Sequence, residues 1–381
     1  MFGDAHKLDP PRNPGERSPI SPVEDVIEDI RRGRMVILMD DEDRENEGDI
    51  VVAAEKVTVE QVNFMLRHAR GLICLPLEEE RLKRLGLRMM VAENTAPLGT
   101  AFTVSIDARD TAGGVSAADR AQTIRRTCAA DAEASDFVSP GHVFPLRARE
   151  GGVLVRTGQT EGSIDLCRLA GLQPAGVICE ILNEDGTMAR LPDIVEFAKE
   201  HDLKISTVAD LIQFRLQTES LVTRVGSSRL PTRFGDFTAH VYQSAVEDGE
   251  HLVLVKGEID PSEPVLVRAH AEYLPGDVFA YSHRDTGAVL HKAMERIATE
   301  GGGVLLYVRR DGRGAEMLAE DGDGAATTNP TARLANFKDY GLGAQILRDL
   351  GVRKIRLLTN SPFRLPNLAG YGLEVVEVVP I

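Results

Sequence analysis

The chain has 381 residues, 43% of them apolar and 27% charged, which is an ordinary globular composition long enough for two domains. Its formal net charge of −15 leaves no basic stripe for phosphate backbones, so nucleic acid is excluded as a sequence-independent partner. No apolar run approaches the ~18 residues of a membrane span, and the four cysteines (Cys74, Cys128, Cys167, Cys179) form no paired motif, as expected of a reduced, cytoplasmic protein.

Residues 1–21 carry Pro10, Pro11, Pro14 and Pro19 without an apolar core, and read as a disordered leader rather than a signal peptide. Val23 to Ile30 has helical apolar spacing, with Gly33 as a stop. The apolar runs 35–39 and 50–52 read as buried strands. Thr58-Val59-Glu60-Gln61 is a capping-box signature opening a helix to Ala69. Residues 71–76 read as a strand, and 78–85 as a short helix ending at Gly86. A strand over 102–106 follows, then a helix from the cap Ser116 to about Ala130. Next come a strand over 152–156, a helix over 163–170 closed by Gly171, and a strand over 176–182. A helix over 192–201, a strand over 204–208 and a helix over 209–216 complete this half. Strands and helices mix throughout, which predicts an α/β (α+β) domain of about 200 residues. After about Thr218 short strands over 221–225, 234–242, 251–256 and 264–270 predict a β-meander or small barrel. A helix over 287–299, a strand over 304–308, a helix over 341–350 and strands over 354–358 and 373–379 close the chain. Glu320 to Asn329 reads as a mobile surface loop.

The run Asp40-Asp41-Glu42-Asp43-Arg44-Glu45-Asn46-Glu47-Gly48-Asp49 holds seven acidic residues between two buried strands. So many like charges in one turn repel, and a divalent cation or polar substrate would offset that repulsion. A solvated acidic turn is the plain alternative. Four further stretches place polar groups where a core would not. His142 sits in a Pro/Gly-bounded turn over 139–147, either structural or functional. Arg156-Thr157-Gly158-Gln159-Thr160-Glu161 offers an arginine, a glycine and hydroxyls between a strand end and a helix start. That is a phosphate cradle or an ordinary turn. Ser116, in Gly114 to Arg120, is read as a helix cap rather than a ligand. Glu180 follows apolar residues in a buried strand, where its pKa would rise toward neutrality and suit proton transfer.

Together, in this order, these stretches resemble the 3,4-dihydroxy-2-butanone 4-phosphate synthase family over about residues 22–215. The matching segments are Asp40–Asp49, Gly71–Cys74, Met89-Met90 with Glu93–Thr95, Phe102–Val104, Gly114–Arg120, Pro140–Arg147, Arg156–Glu161 and Pro174–Glu180. The resemblance implies a Mg2+-dependent homodimeric lyase, with Mn2+ as the alternative ion, that converts the sugar phosphate D-ribulose 5-phosphate and releases formate. It implies substrate binding by Arg44, Glu45, Asp49 and Glu180, and phosphate binding by Arg156, Thr157, Gly158, Gln159 and Thr160. It implies catalysis by His142 and Glu180, with Cys74 in the same pocket and Glu45 as a metal ligand. The family has a metal-binding histidine where this chain has Gln159, whose amide oxygen is the remaining donor there.

In the second half, Leu230–Phe237, Val267–Glu272, Gly276-Asp277 and Arg356–Pro362 resemble GTP cyclohydrolase II. That family holds a catalytic zinc on three cysteines. Here those places are Tyr273, Arg284 and Thr286, and no cysteine follows Cys179. The expectation is a cyclohydrolase-like fold without zinc and without GTP hydrolysis. The expected layout is a leader to residue 21, a synthase domain over 22–215, a linker over 216–225 and the second domain over 226–381. The alternatives are a bifunctional enzyme that also opens GTP, and a non-catalytic regulatory protein of the same pathway.

Overall fold

The computed structural model describes residues 18–41, 44–246, 249–309, 341–360 and 368–381. The leader up to residue 17 and the stretch Glu320–Asn329 therefore lie outside the described residues. The chain divides into two compact units, Met1–Leu211 and Ile212–Ile381. Among the described residues no helix is long and apolar enough to cross a membrane.

The first unit runs α1 (Val23–Arg31), β1 (Val36–Met39), β2 (Gly48–Ala53), α2 (Val59–Phe64), β3 (Cys74–Leu77), α3 (Glu79–Arg84), β4 (Ile106–Ala108), α4 (Ala117–Cys128), β5 (Phe137–Arg147), α5 (Gln159–Leu169), β6 (Gly176–Glu180), α6 (Leu191–His201) and β7 (Ile205–Thr207). A further helix, α7 (Val208–Thr218), begins in this unit and continues into the next. The seven strands form one mixed sheet in the order β4-β5-β3-β6-β2-β1-β7. Every residue of β1, β2 and β3 is buried. Central strands covered by helices on both faces carry continuous apolar runs, which is why 35–39 and 50–52 lack alternation. The capping box of α2 forms as expected: Thr58 Oγ1 accepts from the Gln61 amide (3.2 Å), and Gln61 Oε1 accepts from the Thr58 amide (3.0 Å). The last turn of that helix, Met65–Ala69, is a π-helix.

Several expectations change. Residues 139–147 are part of the strand β5, not a turn. Gly141 lets β4 approach: a Cβ there would lie 2.0 Å from the Ile106 carbonyl carbon. Residues 152–156 are not a strand, because Gly151 (φ 87°) and Gly152 (φ 65°) are both left-handed and start a 3₁₀ turn. Phe102 and Thr103 make only isolated bridges, to Leu146 and Met89. Helix α5 begins at Gln159 rather than Ser163. Its first turn is polar yet buried, so no apolar periodicity marks it. Ile20, assigned to the leader, bridges Ile205, and the Ser21 amide donates to the Ile205 carbonyl (2.7 Å).

The second unit holds β8 (Val222–Thr232), β9 (Gly235–Ser244), β10 (Glu250–Lys256), β11 (Pro264–Ala271), α8 (Leu274–Asp277), α9 (Thr286–Glu300), β12 (Gly303–Val308), a helix over 341–349, β13 (Lys354–Leu358) and β14 (Glu374–Val379). These strands form a second sheet, ordered β14-β13-β11-β12-β10-β9-β8. Of the two expected alternatives, the meander is there in β8-β9-β10, and among the described residues the strands do not close into a barrel. From β11 onward helical crossovers make the pairing parallel, and the sheet stays open. Phe237, Leu254, Leu266, Ile297, Leu305 and Leu358 share its core.

Candidate active site

The acidic run between β1 and β2 is folded around its own first residue. The buried Asp40 carboxylate accepts from the Glu45 amide (3.0 Å), the Glu47 amide (2.9 Å) and Arg44 Nη1 (2.7 Å). Arg190 Nη1, from the start of α6, donates to the Glu45 carbonyl (2.7 Å) and also to that of Asn46. Asp40 and Arg190 were not singled out from the sequence. They hold the described residues 44–47 of this repulsive stretch in place, so that Arg44, Glu45 and Glu47 are presented.

Asp49 and Glu180 stand opposite each other on the antiparallel pair β2–β6. Glu180 Oε2 accepts from the Leu72 amide (2.8 Å). Gly71 makes room for it, since a Cβ there would lie 2.7 Å from Glu180 Oε2 and 2.3 Å from its carbonyl oxygen. Burial, then the charge of Glu180 and of Glu45, Asp40 and Glu47, pushes the Asp49 carboxyl well above the usual range. Burial, with Glu45 adding to it, raises Glu180 against the Leu72 hydrogen bond. Glu47 is raised by burial and by Glu45, with Arg190 opposing. The raised Glu180 agrees with the reading of a carboxyl at the end of an apolar strand. Cys74 is buried, and burial pushes its thiol up, so it lines the wall as a neutral thiol rather than a nucleophile.

Strand register brings His142 to the same wall. Cys74 on β3 is level with Phe144 on parallel β5 and with Ile178 on antiparallel β6. Two residues away, on the same side, stand His142 and Glu180, and Asp49 continues the row. Neighbouring strands lie about 4.8 Å apart, so the His142 and Glu180 backbones are roughly 10 Å apart. No described hydrogen bond or ion pair joins them. His142 is held instead by Asp107 of β4, a residue with no local mark in the sequence. Asp107 Oδ1 accepts from the His142 amide (2.9 Å), and Oδ2 meets His142 Nδ1 (2.8 Å).

The Arg156–Glu161 segment places positive charge at the start of α5. Gly158 is its N-cap in extended conformation. A Cβ on Gly158 would lie 2.7 Å from Arg156 Nη1 and 3.2 Å from Arg44 Nη2, so two guanidinium groups converge on that bare backbone. Arg156 Nη1 is also 2.7 Å from Glu161 Oε2, yet burial outweighs this ion pair and raises Glu161. A helix N-terminus with two arginines and no side chain in the way suits a phosphate dianion. Thr160 and Gln159 are buried in the first turn, with Thr157 half-buried before them.

The donor set also bears on a metal. Among the described residues no group of three His, Cys, Asp or Glu side chains is arranged to hold an ion. The Gln159 amide is pinned at both ends: Oε1 accepts from Arg44 Nη1 (3.2 Å), and Nε2 donates to the Glu47 carbonyl (3.3 Å). Glu45 is a partly exposed carboxylate of the loop, 3.0 Å from Arg44, and Glu47 is exposed to the same degree. Burial and the neighbouring charge of Glu45 raise Glu47, Asp49 and Glu180 here, Arg190 opposes only at Glu47, and the site is left with a deficit of positive charge. That deficit fits a hard divalent cation held by one or two carboxylates, with water and substrate completing its shell.

Residues 24–214 match the family model described as 3,4-dihydroxy-2-butanone 4-phosphate synthase, and residues 223–380 that of GTP cyclohydrolase II. The chain is similar to the riboflavin biosynthesis protein RibBA of Aquifex aeolicus, 55% identical over 372 residues that cover 94% of this chain and 92% of the relative. RibBA of Bacillus cereus is 50% identical over 368 residues, covering 94% and 93%. Among solved structures, RibBX of A. baumannii, a two-domain 3,4-dihydroxy-2-butanone 4-phosphate synthase, aligns with a TM-score of 0.77 at 44% identity, covering 94% of this chain and 99% of that one. A 3,4-dihydroxy-2-butanone 4-phosphate synthase in complex with two magnesium ions aligns with a TM-score of 0.51 at 46% identity, covering 52% and 98%.

Proposed function

The chain belongs to the 3,4-dihydroxy-2-butanone 4-phosphate synthase family, lyases of riboflavin biosynthesis, and from that premise we propose how its first unit works. It converts D-ribulose 5-phosphate to 3,4-dihydroxy-2-butanone 4-phosphate and formate, with Mg2+, as a cytoplasmic homodimer. The observation that carries this reading is the meeting of two opposite charge fields within one site. Arg44 and Arg156 converge at Gly158, and Glu45, 3.0 Å from Arg44, lies close enough to Asp49, Glu180 and Glu47 for its charge to raise all three.

In this reading Arg156, Thr157, Gly158 and Thr160 hold the phosphate, and Arg44 steers the sugar toward the carboxyl wall. Glu45 holds Mg2+, with Gln159 beside it as a strut rather than a ligand; the ion supplies electrostatic stabilisation of developing negative oxygen. Removing a proton next to the ketose carbonyl needs a base, and later protonation needs an acid. His142, with one ring nitrogen bound to Asp107, is the base. Glu180, raised by burial, is the acid that returns a proton to a carbanion or alkoxide. Across the strand pair the charge of Glu180 adds to burial in raising Asp49, so Asp49 is the second carboxyl of the wall that can hold a proton. The neutral thiol of Cys74 keeps that corner free of further charge.

The second unit is cyclohydrolase-like in fold and does not hydrolyse GTP. The places of the three zinc cysteines hold Tyr273, Arg284 and Thr286. Thr286 Oγ1 donates to Asp277 Oδ1 (2.6 Å), and the Arg284 guanidinium lies 4.5 Å over the Tyr273 ring. The match to GTP cyclohydrolase II over residues 223–380 favours one second reading, a bifunctional enzyme. Bound zinc and GTP-dependent formate release would select it. Formate release from D-ribulose 5-phosphate by the full-length protein, with and without Mg2+, tests the main reading.

A further inference from the structure

We propose that Asp107 is the positioning residue that fixes the proton of His142 on Nδ1 and leaves Nε2 as the reacting nitrogen. The inference rests on the reading of His142 as the base. Both oxygens of Asp107 are spent on one residue: Oδ1 on the His142 backbone N–H and Oδ2 on ring Nδ1. An ionised carboxylate only accepts hydrogen bonds, so the ring must donate from Nδ1. Nε2 then keeps its lone pair and makes no described hydrogen bond.

The seat for this contact is built into the fold. Asp107 is buried at 7% exposure, whereas the His142 ring is nearly half exposed. Gly114 (φ +77°) leaves the space that the carboxylate fills, since a Cβ there would lie 2.0 Å from Asp107 Oδ2. Gly141 lets the two backbones touch, with a Cβ there 2.0 Å from the Ile106 carbonyl carbon. Ser105 ties the same crossing twice, accepting on Oγ from the Gly141 amide (3.1 Å) and on its carbonyl from Ser139 Oγ (2.8 Å). These contacts fix where the carboxylate sits, and its two-point bond fixes the ring.

A carboxylate is needed for a reason beyond shape. In Asp107→Asn the single acceptor oxygen must stay with the His142 backbone N–H. The amide NH2 then faces Nδ1, which has to accept. The ring proton moves to Nε2, and the base loses its lone pair although the side chain keeps its size. Inverting a histidine tautomer in this way has cost about 10⁴-fold in kcat in the serine protease triad.

The test uses the full-length protein with 15N-labelled histidine and Mg2+ present, with His142→Gln to assign the signal. Two-bond proton–nitrogen correlations report which ring nitrogen carries the proton. The wild type is expected to show His142 protonated on Nδ1, and Asp107→Asn to show it on Nε2. In formate release the variant is expected to lose about 10²- to 10⁴-fold in kcat, with KM within about threefold. A wild-type His142 protonated on Nε2, or an Asp107→Asn protein with the tautomer unchanged, overturns the proposal. The wild-type spectrum decides the point even if the variant does not fold. It also does so whether or not the chain releases formate, so failure of the catalytic reading is seen separately.

Discussion

Asp49 on β2 and Glu180 on β6 face each other as direct cross-strand partners, the first buried and the second half-buried, and each carboxyl is raised above its ordinary pKa. Like charges directly opposite on a sheet are destabilising. In the proposed reaction the sheet keeps them where proton transfer, not stability, needs them.

That pairing sets a pH dependence with a definite sign. Asp49 is raised in the folded protein, so its contribution is fully present below the unfolded pKa of about 3.9 and is lost as pH rises through the folded value. Asp49→Asn should therefore leave metal-free stability unchanged near pH 4 and raise it progressively toward neutrality. Each kcal/mol recovered corresponds to roughly 2–4 °C in Tm for a unit of this size. Thermal scans of both proteins in chelator from pH 4 to 8 check this; a Tm difference that shrinks with rising pH would contradict it.

The same carboxyls couple metal to protons. Mg2+ should raise the Tm of the wild type more at pH 8 than at pH 5, because the ion competes with the protons on the raised carboxyls of Glu47, Asp49 and Glu180. Glu45→Gln should remove most of that Mg2+ effect while folding normally. A Glu45→Gln protein that Mg2+ stabilises as strongly as the wild type would move the ion elsewhere.

Arg156 meets Gly158 and Glu161 with a planar fork that lysine lacks. Arg156→Lys should raise KM for D-ribulose 5-phosphate about tenfold and leave kcat within about threefold, because phosphate binding is equal in ground and transition states. Steady-state kinetics separate the two parameters. A fall confined to kcat would remove Arg156 from the phosphate site.

Gln159 links Arg44 to the Glu47 carbonyl through its two amide ends. Gln159→His breaks that link and offers a nitrogen donor beside Glu45. Affinity for Ni2+ or Zn2+ relative to Mg2+ should then rise by about tenfold or more, since imidazole favours those ions. Metal titrations followed by calorimetry give the ratio. An unchanged ratio would mean that position 159 does not adjoin the ion.

Much of the first site was legible because side-chain type alone carries its meaning. The carboxylate-rich loop, the arginine before Gly158, and Glu180 at the end of an apolar strand each declare a chemistry locally. The Thr58–Gln61 capping box was legible for the same reason. Asp107 was not, because a lone aspartate in a short strand has no local signature. Its partner His142 lies 35 residues away, and only Gly114 and Gly141 hinted at a close approach. The first turn of α5 hid because its buried residues are polar. Strand β5 reads as a turn in the sequence because Pro140 and Gly141 punctuate it. In the second unit, periodicity showed the strands, but whether the sheet closed depended on the long-range pairing of β11, β12 and β13.

In the second unit Asp277 joins Thr286, Tyr307, His270 and the Tyr273 amide at 2.6 to 2.9 Å. Asp277→Ala should destabilise that unit by about 2–4 kcal/mol by leaving several buried groups unpaired. Chemical denaturation with and without a zinc chelator checks this, and a chelator effect on the wild type would reveal a metal where none is expected.

The most direct measurement is formate release by the full-length protein from D-ribulose 5-phosphate and, separately, from GTP. Release from the sugar phosphate that requires Mg2+ and disappears in Glu180→Gln, with none from GTP, is the expected result. Well-folded, Mg2+-saturated protein that leaves D-ribulose 5-phosphate untouched would contradict the lyase mechanism. Zinc-dependent release from GTP would contradict the role given to the second unit.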